Sequence, residues 1–180
     1  MEPRNPETDI RRHEEIYRGV IVRLVKDVVR LESGRDVIRE VVRHPGGVVV
    51  LPVLDDGRLV FVRQFRYPLS KYILELPAGK LDTGQPPLET IRCELEEEAG
   101  FRAAEIHRVF SFHTTPGICD EEIHFFLARG LTAVPTRRQE GEHMTVETYT
   151  VDQAMAMIES GEIADAKTII GVLWYRLKEC

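Results

Sequence analysis

Four glutamates crowd into five consecutive positions, Glu94 to Glu98, with only Leu95 between them. Residues three and four positions apart share one face of an α-helix, so Glu94, Glu97 and Glu98 converge if this segment is helical. An apolar stripe runs beside that face and consists of Leu88, Ile91, Leu95 and Ala99. The pattern predicts an amphipathic helix that buries one side and concentrates negative charge on another.

This concentration of charge has a cost that a cation would remove. Like charges at these spacings destabilise a helix by about 0.2–0.5 kcal/mol each, and the helix dipole opposes carboxylates near the C-terminus. A bound divalent cation reverses both penalties; without one, the segment is a solvated acidic face. Carboxylates without accompanying His or Cys favour Mg²⁺, with Mn²⁺ as a substitute, over zinc. Clustered carboxylates that hold two such ions recur in phosphoryl chemistry.

The segment from Gly79 to Phe101, which reads GKLDTGQPPLETIRCELEEEAGF, resembles the Nudix box. The positions that match are Gly79, Glu94, Leu95, Glu97, Glu98, Gly100 and Phe101. Two positions depart from the pattern. Gln85 stands where the family has Glu, and Cys93 stands where the family has an Arg that braces a carboxylate of the helix. The resemblance predicts an active pyrophosphatase site with an altered brace.

Further segments are similar to the ADP-ribose pyrophosphatase branch of the Nudix family, and they occur in the family order. They are Val62–Pro68, Leu74–Gly79, Thr115–Gly117, Phe125–Ala128 with Gly130–Leu131, and Ile163–Thr168. The resemblance implies Mg²⁺-dependent hydrolysis of ADP-ribose to AMP and ribose 5-phosphate. The alternatives are another sugar nucleotide such as GDP-mannose, or a non-catalytic Nudix-like binding module. The three retained glutamates argue against the binding module, whereas Cys93 and Gln85 favour it.

The resemblance also assigns roles within the site. Glu94, Glu97 and Glu98 are the predicted metal ligands, with Glu97 and Glu98 counted as catalytic, and the backbone carbonyl of Ala78 completes one metal's coordination. The family takes its general base from a loop after the box, which here spans Arg137 to His143. In that loop Glu140 is the candidate base and Glu142 the candidate additional metal ligand. Glu121, beside the Pro116-Gly117 turn, is the alternative base.

Five residues are candidates for substrate binding. Arg66 presents a planar fork suited to the oxygens of a diphosphate, and Arg63 lies on the same predicted strand. The adenine is expected to stack on an aromatic ring or a guanidinium plane of the N-terminal region, where the candidates are Tyr17, Arg39 and Arg43.

Hydrophobic patterning predicts an α+β fold, and the resemblance makes it a Nudix-type αβα sandwich with a small N-terminal antiparallel β-sheet. Residues 1–43 form the sheet region, with predicted strands at 19–26, 28–31 and 36–43, and residues 44–180 form the Nudix hydrolase domain. So small a sheet is marginal alone. In the resembling branch it is exchanged across a homodimer and contributes to the partner's site, so a homodimer is expected.

Within the larger region, Val48–Leu54 and Leu59–Phe65 are predicted to form a hairpin around Asp55-Asp56-Gly57. Two helices are predicted to close the chain. Asp152 is the expected cap of the first. In the second, which Asp165 opens, the predicted core stripe consists of Ile169, Ile170, Leu173 and Leu177.

Composition narrows the class of protein. The chain has 180 residues, a formal net charge of −6 and a pI near 5.6, which argues against a nucleic-acid partner. A small nucleotide is the ligand that the resemblance implies. No apolar run approaches the length of a membrane span, so no membrane association is expected. Cys93, Cys119 and Cys180 form neither an even set nor a metal-ligand spacing, which makes the cytoplasm the expected compartment.

Overall fold

The computed structural model describes residues 7, 9–81, 84–138 and 143–179, and it divides the chain into two compact units. The first unit comprises residues 1–46 and 113–122, and the second comprises residues 47–112 and 123–180. The boundary therefore follows Gly46, and a segment from later in the chain joins the N-terminal region. Nothing in the sequence pattern predicted that second feature.

The first unit contains a three-stranded antiparallel sheet in the order β1-β2-β3, formed by β1 (Asp9–Arg18), β2 (Arg23–Arg30) and β3 (Asp36–Arg43). Alternate residues of β2 are buried, namely Val25, Asp27 and Val29. The sequence predicted β3 with its observed bounds. The sequence pattern divided β2 into two strands. It missed β1, because this strand is almost wholly exposed and therefore lacks the alternation of buried and exposed residues by which a strand is predicted.

The second unit contains two sheets. One has the order β10-β5-β6, from β5 (Leu59–Arg66), β6 (Lys71–Glu75) and β10 (Met144–Tyr149). The other has the order β7-β4-β9-β8, from β4 (Gly47–Pro52), β7 (Ala78–Lys80), β8 (Phe101–His113) and β9 (Glu122–Ala133). The predicted hairpin of β4 with β5 is wrong. Strand β4 pairs with β7 on one edge and, in parallel, with β9 on the other, so only the bridge Val53–Leu59 joins the segments.

Among the residues that the structure describes, the second unit also contains three α-helices, α1 (Pro87–Ala99), α2 (Val151–Ser160) and α3 (Ala166–Lys178), and a short 3-10 helix at Tyr67–Leu69. Strand β4 shows how they form a sandwich, because successive side chains of a strand face opposite sides. Val48 and Val50 share a buried cluster with Ile91 and Leu95 of α1. Val49 and Leu51 belong to another, which includes residues of α2 and α3. The predicted α+β class and αβα layering are confirmed.

Two details of the closing helices differ from the expectation. Thr150, rather than Asp152, caps α2, since its side chain accepts from the N–H of Gln153 while the Gln153 side chain accepts from the N–H of Thr150. The buried face of α3 consists of Thr168, Gly171, Val172 and Tyr175. The predicted stripe on this helix was wrong for its two leucines, since Leu173 is 37% exposed and Leu177 80%. Its two isoleucines are partly buried, and Ile169 packs against the core.

The described residues contain no helix that is both long and apolar enough to cross a membrane.

Candidate active site

Helix α1 carries the predicted carboxylates, and its bounds follow from local chemistry. Pro87 occupies the first helical position, where a missing N–H costs nothing. Gly100 ends the helix in the left-handed conformation at φ 70°, and its N–H bonds back to the carbonyl of Glu96. Ile91 and Leu95 are fully buried, which stabilises the fold by about 1.5–3 kcal/mol for each side chain. The apolar side of the helix thus fixes the direction in which the acidic side points.

Glu98 is the most deeply placed of these carboxylates. Its side chain is only 4% exposed, and its Oε2 accepts a hydrogen bond of 3.0 Å from the backbone N–H of Ala78. A buried carboxylate needs such partners because burial without them costs several kcal/mol. The contact joins α1 to a segment that we call the Leu76–Gly79 turn, which comprises the two residues between β6 and β7 and the first two residues of β7.

Glu94 meets the same turn at Gly79. A Cβ atom placed on Gly79 would lie 2.0 Å from Oε1 of Glu94, which is far inside van der Waals contact. The carboxylate of Glu94 therefore occupies space that only glycine leaves open. This gives the box glycine a steric reason that its spacing alone did not reveal.

The donor set fits a hard divalent cation. Glu94 and Glu98 both reach the Ala78–Gly79 backbone, Glu97 lies half-buried between them in sequence, and all of their ligand atoms are carboxylate oxygens. Within the described ranges, no three His, Cys, Asp or Glu side chains are already grouped in a way that could hold a metal ion. The metal-ligand assignments, including the carbonyl of Ala78, accordingly stay predictions.

The first two residues of the candidate loop contact the C-terminal end of α1. The N–H of Arg137 donates to the carbonyl of Glu97, and the guanidinium of Arg138 donates to the carbonyls of Glu98 and Met144. These bonds satisfy carbonyls that the end of a helix leaves without intrahelical partners. Glu140 and Glu142, the candidate base and additional ligand, lie outside the described residues.

Arg66 has a buried carboxylate as its partner. Its guanidinium lies 2.7 Å from Glu75, which is 3% exposed, and the ammonium of Lys167 lies 2.8 Å from the other oxygen of Glu75. Two cations therefore share one carboxylate. The Arg66 side chain remains 38% exposed, which leaves part of its fork accessible to a ligand.

Arg63 is more fully engaged within the protein. It pairs with Glu147 at 2.7 Å and with Glu162 at 2.9 Å. The hydrogen bond from Arg63 holds the pKa of Glu147 below its ordinary value, and the bond to Glu147 is the largest cause that raises the pKa of Arg63. This geometry gives Arg63 a role in joining β5 to β10, and its assignment to the substrate stays a prediction.

The three other substrate candidates lie in the first unit. Tyr17 is 58% exposed, and its ring lies beside Gly19 just beyond the end of its own strand. Arg39 forms an ion pair with Glu7, and Arg43 lies 3.0 Å from Asp120. Both arginine side chains are more than 40% exposed, so each can still meet a ligand.

Arg43 also lines a cleft of about 300 Å³ in the first unit, together with His113, Asp120 and the Pro116–Cys119 segment. The structure thus brings a candidate substrate residue next to the Pro116-Gly117 turn that the sequence singled out. Glu121, the alternative base, follows this cleft in the chain. It accepts from the hydroxyl of Thr114 at 2.7 Å and lies 3.2 Å from His44.

Gln85 and Cys93, which depart from the box, are both exposed. Gln85 precedes α1, and Cys93 lies on its outward surface beside Arg92. Neither departure disturbs the buried face of the helix.

Sequence reasoning missed the polar residues that support the turn. Glu75, Lys167 and Thr168 were noticed only as parts of longer resembling segments, and Arg138 only as part of a polar loop. A buried charge cannot be recognised without knowing which strands are central, so no signal within the chain assigned them a role.

The sequence matches the NUDIX domain over residues 43–170, and the chain belongs to this family. The predicted family is thereby confirmed, and the carboxylate helix lies within the matched range. Members of this family that cleave ADP-ribose generally use a divalent metal.

Individual relatives extend the comparison. The ADP-ribose pyrophosphatase of Bacillus subtilis (strain 168) is 41% identical over 168 residues, which cover 92% of this chain and 91% of that protein. The methanol dehydrogenase activator of Bacillus methanolicus is 40% identical with the same coverage of both chains. A solved structure of an ADP compounds hydrolase has a TM-score of 0.84 over 99% of both chains at 18% identity, which supports the fold.

Proposed function

We propose that this protein hydrolyses the pyrophosphate bond of ADP-ribose, with Mg²⁺, to AMP and ribose 5-phosphate. One observation carries the proposal: the three box glutamates are retained on α1, and two of them meet the Ala78–Gly79 turn. The likeness to the Bacillus subtilis enzyme supports ADP-ribose as the substrate.

The metal ion would be held by residues of α1 and of the Leu76–Gly79 turn. Glu94, Glu97 and Glu98, with the carbonyl of Ala78, would hold Mg²⁺, or Mn²⁺ in its place. When bound, the ion supplies charge neutralisation at the diphosphate and a more acidic water. Burial of Glu98 and its bond from Ala78 keep its carboxylate fixed before substrate arrives, so little reorganisation is needed during the reaction.

Substrate binding would depend on guanidinium groups. Arg66 is the proposed diphosphate or ribose ligand, because its fork is partly exposed and Lys167 shares its buried partner Glu75. Arg63 is a second candidate. The adenine would meet the first unit, where Tyr17, Arg39 and the cleft beside Arg43 offer an aromatic ring, guanidinium planes and a concave surface.

The direct test is an assay of the purified protein against ADP-ribose, GDP-mannose, NADH and a dinucleoside polyphosphate. We expect ADP-ribose to have the highest kcat/KM, with AMP and ribose 5-phosphate as its products, and EDTA to abolish the reaction. A higher kcat/KM for another compound would reassign the substrate. Absence of metal-dependent turnover on all four would favour a binding module.

We expect Glu140→Gln to lower turnover with little change in KM, because a general base acts only in the transition state. Glu142→Gln is the matched comparison in the same loop, and as a metal ligand it should instead raise the Mg²⁺ concentration needed for half-maximal activity. Steady-state kinetics with a Mg²⁺ titration separate the two roles. A larger loss of turnover in Glu121→Gln than in Glu140→Gln would assign the general base to Glu121 instead.

We also propose that the protein is a homodimer whose interface includes residues 17–43. The small sheet of the first unit and the connection between β1 and β2 expose several large apolar side chains, which are Ile10, Ile16, Tyr17, Val20, Ile21 and Ile38. Light scattering at micromolar concentration should give twice the chain mass. Ile38→Asp should shift it toward the monomer, whereas Leu177→Asp, at an exposed apolar position of the second unit outside this range, should not. A fully active wild-type monomer would refute the shared site.

The cytoplasm is the proposed compartment, on the grounds of the cysteine count given above.

A further inference from the structure

Asp165 and Thr168 form a polar cluster at the start of α3 that has no part in the chemistry proposed above. Asp165 precedes the helix, and its Oδ2 accepts both the N–H of Thr168 at 3.0 Å and the hydroxyl of Thr168 at 2.6 Å. Thr168 itself has no exposed surface. Capping by Asp165 explains the first bond, but a cap does not require a hydroxyl three residues later.

The Thr168 hydroxyl has a second partner outside its helix. Its Oγ1 accepts a hydrogen bond of 2.9 Å from the backbone N–H of Leu76. Because the hydroxyl proton is donated to Asp165, the oxygen presents its lone pairs to Leu76, and the direction of the group is settled. One side chain of α3 therefore holds the first residue of the Leu76–Gly79 turn.

Lys167, the preceding residue, holds the strand that enters this turn. Its ammonium lies 2.8 Å from Glu75 and 3.0 Å from Asp165, and its side chain is 14% exposed. Glu75 is 3% exposed, so its charge depends on Lys167 and Arg66 for compensation. Opposite charges thus alternate from Arg66 through Glu75 and Lys167 to Asp165.

The turn is fixed at three successive residues. Thr168 accepts from the N–H of Leu76, the N–H of Val50 donates to the carbonyl of Pro77 at 3.0 Å, and the N–H of Ala78 donates to Glu98 at 3.0 Å. Pro77 has no N–H and a fixed φ, which limits how the turn can relax between these points. A shift at Leu76 is therefore expected to displace Ala78 and the carboxylate that it holds.

We propose that Thr168 and Lys167 are positioning residues that set the Leu76–Gly79 turn, and through Ala78 the carboxylate of Glu98, in metal-binding geometry. The proposal rests on the metal-dependent function given above. Residues of α3 would thus fix the position of the Glu98 carboxylate on α1, although the two helices belong to opposite layers of the sandwich.

The first test is Thr168→Val, which keeps the shape of the side chain and removes its hydroxyl, with Thr168→Ser as the conservative control. Amide exchange measured by NMR reports the turn without any metal or substrate. We expect exchange at Ala78 to quicken by about tenfold or more in the valine variant and to stay near wild type in the serine variant. Unchanged exchange at Ala78 in Thr168→Val would overturn the proposal.

The second readout is Mn²⁺ binding to the substrate-free protein, followed by calorimetry. Supporting groups behind metal ligands change affinity by about 10–100-fold, and one step further away we expect a rise in Kd of about fivefold for Thr168→Val. A stability loss without any change in Kd would mean a merely structural role and overturn the proposal. If the wild type itself binds no Mn²⁺, the proposed metal site fails, and amide exchange alone decides the positioning role.

Lys167→Met provides a second variant should Thr168→Val fail to fold, with Lys178→Met at the exposed end of the same helix as its control. We expect Lys167→Met to quicken exchange at Ala78 and weaken Mn²⁺ binding, and Lys178→Met to do neither. Equal behaviour of the two variants would refute the part assigned to Lys167.

Discussion

Glu98→Gln is expected to lower turnover by about a hundredfold or more while the protein remains folded, which is the range for loss of one electrostatic catalytic group. The structure explains why turnover should fall while the fold is retained. Glutamine is almost isosteric with glutamate, and its side-chain oxygen can still accept from the N–H of Ala78. The turn therefore keeps its anchor, and only the charge that would face the metal is lost.

The matched control is Glu96→Gln on the same helix. Glu96 pairs with Arg102 at 2.7 Å, and this hydrogen bond is the largest cause that lowers its pKa. Since a surface ion pair whose arginine is 66% exposed contributes little, the variant should keep turnover within about twofold of wild type. Steady-state kinetics and thermal melting of both variants are the measurements. Equal damage from the two substitutions, or near-normal turnover of Glu98→Gln, would remove Glu98 from the site.

The carboxylate helix was predictable because several independent signals agree on it. Pro87 and Gly100 mark its ends, Ile91 and Leu95 give it a buried side, and the glutamates follow the same period. The secondary structure of a segment can be predicted from sequence when its local propensity and its hydrophobic pattern agree. Caps also identified the start of α3 at Asp165, although they did not reveal which face of that helix is buried.

The buried face of α3 was misread because it is built from small and polar residues. A Cβ on Gly171 would lie 2.7 Å from both Leu76 and Phe125, so the helix approaches the sheet through its glycine. Thr168 is buried because its hydroxyl has two partners, which hydrophobic periodicity cannot register. Leucines at 173 and 177 carried the apolar signal and turned out to lie toward the surface.

The pairing of the strands could not be predicted from the sequence, for another reason. Segments around a tight turn favour a hairpin locally, but β4 is a central strand whose two edges are taken by β7 and β9. The parallel partner β9 comes about seventy residues later in the chain, and long-range pairing leaves no local trace. The same limit hid the contact of Ala78 with Glu98.

Gly79→Ala is expected to lower turnover by about tenfold or more and to weaken metal binding, with little change in thermal stability. The new methyl group would lie 2.0 Å from Oε1 of Glu94, 2.3 Å from its Cδ and 2.5 Å from its Cγ. All three atoms belong to one flexible side chain, so the fold can yield by moving Glu94 alone. Metal binding and turnover, rather than thermal stability, should therefore decrease, because the displaced carboxylate is a proposed metal ligand.

A double-mutant cycle with Glu94→Gln shows whether the methyl group acts through that carboxylate. Residues in contact are not additive, so Gly79→Ala should have little further effect on turnover, within about threefold, once Glu94 has lost its charge. Mn²⁺ affinity and kcat are measured for the wild type, both single variants and the double variant. Full additivity would mean that alanine disturbs the turn itself and that Glu94 is incidental. A single Gly79→Ala variant with normal Mn²⁺ affinity and normal turnover would show that Glu94 need not occupy the space beside Gly79, and the steric account of the box glycine would be wrong.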